Sequence, residues 1–182
     1  MLRMVGADLR FYAKGRPGRY LRTFLWDRQF HVMLLYRLGR YCASRRGLHR
    51  LCPYLRYLLG TVHSCDFSFK AEIGARLHLP HPIGIVIGEG VTIHDDVTVF
   101  QHVTIGSHGR QGTSLDYPVV ESRVRIYANS TVVGGVRIGA GAIVGAQSLV
   151  VSNVRGEMVY AGVPARKLYR VPSAVTGAPA SE

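Results

Sequence analysis

Residues 67–105 read FSFKAEIGARLHLPHPIGIVIGEGVTIHDDVTVFQHVTI and residues 120–155 read VESRVRIYANSTVVGGVRIGAGAIVGAQSLVVSNVR, and in both an apolar residue returns at every sixth position. The hexads start at Phe67, Ile73, Leu79, Ile87, Ile93, Val99, Ile105, Val120, Ile126, Val132, Ile138, Val144 and Val150. The frame slips twice, by two extra residues after Leu79 and by an insertion after Ile105. The fifth position is usually small or β-branched, as in Ala71, Val97, Ser130 and Ser148, and Gly often follows the start, as in Gly74, Gly106 and Gly145. A period of six fits a helix hardly at all and an open sheet only sparsely. It fits a parallel β-helix, whose short flat strands stack coil on coil with one inward side chain per face. A sandwich would space its turn signals more widely and less evenly. The reading is a mainly β fold: a parallel β-helix of hexapeptide repeats over 65–170, an α-helical region over 1–64, an inserted loop at 110–119, and a flexible polar tail over 171–182.

The net charge of +12 is unevenly spread. Residues 1–64 hold thirteen Arg and Lys against only Asp8 and Asp27, a net +11, which leaves the repeats at +1. Helical periodicity predicts one short helix over 7–14, one from Arg19 to about Arg46, and a third from near Pro53 to about Val62. This basic layer, with Tyr20, Trp26, Tyr36, Tyr54 and Tyr57 interspersed, has two readings. It attaches to an anionic membrane surface or carrier, or it packs on the β-helix end or on another subunit. No recognition module for nucleic acid accompanies the charge. With no apolar run long enough to cross a bilayer and no signal-like opening in residues 1–10, the expected location is cytoplasmic, at the inner face of the membrane if the basic layer attaches. Cys42, Cys52 and Cys65 are odd in number, lack metal-ligand spacing and read as free thiols. His94-Asp95-Asp96 alternates faces and reads as a solvated edge; no metal site is predicted.

Grouping the hexads in threes puts those starting at Leu79, Val99 and Ile126 on one face, so His81 lies about one rung from Gln101 and His102. An imidazole of near-neutral pKa takes a proton from a hydroxyl as it attacks a carbonyl, provided that another group fixes its tautomer. Asp66, a little less than one coil earlier, is the candidate for that group. The inserted loop, with Asp116 and Tyr117, is the natural place for binding function on a repeat scaffold.

Asp66 to Gly74, Leu79-Pro80-His81-Pro82-Ile83-Gly84-Ile85-Val86-Ile87-Gly88-Glu89, Gln101-His102-Val103-Thr104-Ile105-Gly106 and Ala161-Gly162-Val163-Pro164-Ala165-Arg166 resemble the hexapeptide-repeat acyltransferases of the serine acetyltransferase branch. The resemblance covers about residues 62–168. It implies a left-handed β-helix, a homotrimer or dimer of trimers, and acetyl-CoA as acyl donor in clefts between subunits. By that resemblance His81 is the catalytic base and Asp66 its partner. Ala128, Ala146 and Arg166 contact the donor's pantetheine arm and nucleotide, with Lys167 on phosphate and a backbone N–H near Gly109 for the oxyanion.

Three departures shape the acceptor expectation. Pro80 stands where those enzymes have Asp, Asp116-Tyr117 stands where they have Arg-His before Pro118, and the helical region is shorter. These features resemble the colanic-acid-type O-acetyltransferases of capsule and exopolysaccharide assembly. The first expectation is therefore an acetyl-CoA-dependent O-acetyltransferase acting on a saccharide hydroxyl, with Gln101, His102, Asp116 and Tyr117 at the acceptor. The alternative is a serine O-acetyltransferase of cysteine biosynthesis.

Overall fold

The computed structural model describes residues 1–109 and 116–172. Most of the loop expected at 110–119 and most of the tail expected at 171–182 lie outside the described residues. Three parallel sheets form the faces of a β-helix. The first stacks Asp66–Phe67, Val86–Ile87, Thr104–Gly106, Thr131–Val133 and Leu149–Val150. The second stacks Glu72–Ile73, Thr92–Ile93, Val119–Val120 and Arg137–Ile138. The third stacks Thr98–Val99, Arg125–Ile126, Ile143–Val144 and Met158–Ala161, and closes with the antiparallel strand Arg166–Arg170.

Register explains both frame slips. Val86 pairs with Thr104 and Thr131 with Leu149, each one coil of three hexads apart. Asp66 pairs with Val86, two residues beyond that interval, and Thr104 pairs with Thr131, nine beyond it. The extra residues fall outside the strands, at 80–85 and between Gly106 and Val119. All thirteen hexad starts are buried, none more than 5% exposed, and form one continuous core. Burying such aliphatic side chains contributes roughly 1.5–3 kcal/mol apiece. Each coil turns through residues in the left-handed region, stacked in register: Gly84, His102, Asn129 and Gln147 on one corner, and Arg76, Asp96, Arg123 and Gly141 on another. Asp96 and Asp95 are fixed there by Arg76, and Asp95 Oδ1 also accepts from Ala75 N at 2.7 Å.

The helices close the open end of the solenoid. They are α1 (Leu2–Tyr12), α2 (Tyr20–Trp26), α3 (Arg28–Ala43) and α4 (Cys52–His63). A first coil has carbonyls with no preceding coil to bond them, and leaving such groups buried and unpaired is costly. Side chains of this layer supply the donors. Tyr36 Oη donates to Ala71 O at 2.7 Å, Arg37 to Ile73 O and Gly74 O at 2.5 Å each, Tyr12 Oη to Leu77 O at 2.5 Å, and Arg40 to Ala71 O. Arg37 is held by Asp8 at 3.0 Å in an ion pair that is 5% and 1% exposed. Val32, Met33, Tyr36 and Leu59 belong to the same core as the coils, so much of the apolar stripe packs on the β-helix end. Leu21, Trp26, Tyr54 and Tyr57 stay exposed. No described helix is long and apolar enough to cross a membrane.

Two helix expectations are corrected. The first helix spans Leu2–Tyr12, starting five residues before the expected 7, with Asp8 in its interior buried against Arg37. The helix expected from Arg19 to Arg46 is broken at Asp27, whose extended backbone (φ −86°, ψ 107°) ends α2 and whose Oδ1 accepts from Phe30 N at 3.1 Å to cap α3. An N-capping Asp offers that bond in place of the helical one, and the turn follows.

Candidate active site

His81 sits on the corner enlarged by the first frame slip. Pro80 and Pro82 flank it, Pro82 is buried, and Ile83 N donates to His81 O at 2.8 Å. Two prolines fix φ on either side of the imidazole, so the exposed ring stands on a stiff projection. It opens on a cleft of about 370 Å³ with Pro80–Ile83 on one wall and Trp26–Gln29 on the other. The helix break at Asp27 thus shapes the cleft.

The next coils carry the expected partners up the same corner. His102 N donates to Ile83 O at 2.9 Å, Asn129 N to Gln101 O at 3.1 Å, and Gln147 N to Ala128 O at 2.9 Å. Gln101, His102, Ala128 and Ala146 therefore lie in one column with the His81 corner. The His102 ring covers Gly84, where an added Cβ would stand 2.2 Å from Nδ1. Gln101 Oε1 is buried without a partner among the described residues. Ser130 Oγ donates to Gly145 O at 2.8 Å, and Ser148 Oγ accepts from Gly162 N at 3.1 Å, pinning the column from inside. The small, outward Ala128 and Ala146 leave its surface smooth. Arg166 and Lys167, both exposed, lie on the last strand beyond it.

Other expected residues are elsewhere. Asp66 does not hydrogen-bond His81 among the described residues. Both its oxygens accept from Arg56 of α4, each at 3.0 Å, and it is absent from the cleft walls. The correction has a simple cause: α4 docks with Arg56 over the first strand, and a bidentate Arg pair outcompetes a longer reach to a projecting corner. Asp116 and Tyr117 lie on a different corner. The Tyr117 ring lies over Gly90 and Gly88, leaving no room for a Cβ at Gly90, and packs on the core. Within one chain, therefore, Tyr117 is not beside His81, where the acceptor reading groups it with Gln101 and His102. Asp116 abuts Gly135 on that corner. Gly109 N donates to Ser107 Oγ at 3.4 Å there. Sequence reading missed Trp26, Asp27, Arg28 and Gln29 as cleft residues. The available signal was Asp27 itself, an N-cap type inside an apparently continuous helix.

The chain is similar to several known proteins. Residues 117–152 match the family model described as bacterial transferase hexapeptide (six repeats). A serine acetyltransferase of Buchnera aphidicola (subsp. Acyrthosiphon pisum) is 34% identical over 175 residues, 95% of this chain and 64% of that protein. Among solved structures, soybean serine acetyltransferase complexed with serine is 30% identical with a TM-score of 0.80, covering 91% of this chain and 68% of that one. Serine acetyltransferase from Brucella abortus in complex with coenzyme A is 25% identical with a TM-score of 0.82, covering 94% and 68%. The fold is the left-handed parallel β-helix with a helical N-terminal layer, and the chain belongs to the hexapeptide-repeat acyltransferases. Within that family its relatives here carry the name serine acetyltransferase. The chain spans only 64%, 58% and 54% of the length of three such curated relatives.

These findings overturn the expectation of a saccharide acceptor and give no support to a closest likeness to capsule-type enzymes. The likeness to the Buchnera enzyme runs through the helical layer as well as the coils, so a short layer does not separate this chain from serine acetyltransferases. Positions 80, 116 and 117 are also not the only ones at issue, because the helix break brings Asp27 and Arg28 to the cleft.

Proposed function

We propose that this protein is an acetyl-CoA-dependent O-acetyltransferase whose acceptor is the hydroxyl of L-serine. The observation that carries this reading is the likeness to a serine acetyltransferase over 175 residues, a span that takes in both walls of the His81 cleft. Acetyl-CoA supplies an activated thioester carbonyl. The smooth column at Ala128 and Ala146 suits an extended pantetheine arm, and Arg166 and Lys167 offer cations to its phosphates. Neutral His81 accepts the serine hydroxyl proton as that oxygen attacks the carbonyl. It then returns the proton to the departing thiolate, so no covalent enzyme intermediate is needed. The proline-stiffened corner holds the ring in place for this. Asp66 acts on His81 only if Arg56 shares the carboxylate. Within one chain the His81 corner and the corner bearing Gly109, Asp116 and Tyr117 are separate, which favours a trimer whose neighbouring subunits bring the two together. The reading includes a basic helical layer over 1–64, a catalytic β-helix over 65–170 with its loop at 110–119, and a tail from 171.

The test is coenzyme A release from acetyl-CoA by the full chain, with and without millimolar L-serine. Serine-dependent release is expected. Release equal to the acceptor-free rate contradicts the proposal.

A further inference from the structure

We infer that Asp27 and Arg28, at the break between α2 and α3, bind the ammonium and carboxylate of the acceptor in the His81 cleft. This rests on the reading of the acceptor as a free amino acid. Such an acceptor is a zwitterion at neutral pH, and a site that recognises it must present opposite charges a short distance apart. The cleft, about 370 Å³, falls in the ordinary range for small-ligand sites and is walled by two short segments, 26–29 and 80–83. On the His81 wall every other residue is uncharged, as Pro80, Pro82 and Ile83. On the facing wall Asp27 and Arg28 are the only charged residues, flanked by Trp26 and Gln29. Asp66, the nearby carboxylate expected from sequence, is paired with Arg56 and does not line the cleft.

The bonding state of the two side chains strengthens the assignment. Asp27 uses Oδ1 to cap α3, and among the described residues its Oδ2 accepts no hydrogen bond. Arg28 donates one Nη2 bond to His63 O at 3.2 Å, which tethers the guanidinium while Nε and Nη1 donate to nothing among the described residues. No ion pair joins Asp27 to Arg28 among those residues. Each charge therefore keeps bonding capacity toward the cleft: an acceptor-only oxygen for an ammonium, and a fork of N–H donors for a carboxylate. The hydroxyl on the remaining arm of the amino acid is then left to face the opposite wall and His81. Exposed Trp26 flanks the pair.

The test varies L-serine at saturating acetyl-CoA in the full chain, with Asp27→Asn and Arg28→Gln. Asparagine also caps helices, so Asp27→Asn removes the charge while keeping the fold. Each substitution is expected to raise KM for L-serine by about ten- to a hundredfold, the range for losing a charge-assisted hydrogen bond, with a smaller effect on kcat. Acceptors lacking one charge supply the discriminating readout. Arg28→Gln should weaken L-serine but not L-serinamide, which has no carboxylate, and Asp27→Asn should weaken L-serine but not N-acetyl-L-serine, which has no ammonium. Unchanged KM values for serine, or equal losses on all acceptors as a purely structural role gives, overturn the pair while leaving the serine reading intact. A native chain inert toward L-serine overturns the acceptor reading and the pair with it.

Discussion

His81 owes its position to two extra residues in one coil and to the prolines on either side, so its contribution is separable from folding. His81→Ala is expected to lower kcat by roughly a hundredfold or more, the usual loss on removing a general base. Acetyl-CoA affinity measured by calorimetry should stay near the native value, because the ring faces the acceptor cleft. Gly84 is the opposite kind of residue: φ is +65° and an added Cβ would stand 2.2 Å from the His102 ring. Gly84→Ala is expected to destabilise the chain by about 1–3 kcal/mol, read as a lower denaturation midpoint, with activity falling as the corner shifts. Much of this corner was legible in sequence. Once the period is fixed at six, register follows by counting, and His81, Gln101 and His102 fall together. The partner of Asp66 was not legible. Arg56 lies on a helix outside the repeat, and its reach depends on how α4 docks.

The helical layer is held by donors aimed at the first coil's carbonyls and by one buried ion pair. Arg37→Met keeps volume but leaves Asp8 buried without its partner and strips the bonds to Ile73 and Gly74. A loss of about 3–5 kcal/mol is expected, measurable by urea unfolding. The junction between this layer and the first coil, with His63 on α4 and His78 on the coil beneath Phe11, should be acid-sensitive. Burial first, then Arg28 and His31, lowers the pKa of His63. Burial first, then Lys14 and Arg125, lowers that of His78. Below about pH 6.5 the unfolded chain binds protons that the folded chain refuses. The stability these residues contribute is therefore complete above that pH and is lost as pH falls toward the depressed folded values. The urea midpoint should drop between pH 7.5 and pH 5.5, and drop less in a His63→Gln, His78→Gln double variant; an equal drop in both would assign the effect elsewhere. Sequence gave helical character here but not the break at Asp27. Apolar spacing continues across it, and only the Oδ1 bond to Phe30 N reveals that the chain turns.

At the scale of the whole molecule the β-helix was readable from its period alone, whereas the acceptor was misread. Substitutions at 80, 116 and 117 are visible in sequence, but that Asp27 and Arg28 of another element line the His81 cleft is visible only after folding. If neighbouring subunits unite the His81 corner with the Gly109 corner, light scattering should give three times the 20.1 kDa chain mass, and a monomer at micromolar concentration would remove the shared site. The most direct measurement of the central claim is mass-spectrometric detection of the product after incubating the full chain with acetyl-CoA and L-serine, beside His81→Ala. The expected result is O-acetyl-L-serine accumulating in step with free coenzyme A in the native chain, and at least a hundredfold less in the variant. Absence of acetylated serine in the native chain, or equal amounts in both, would contradict the account.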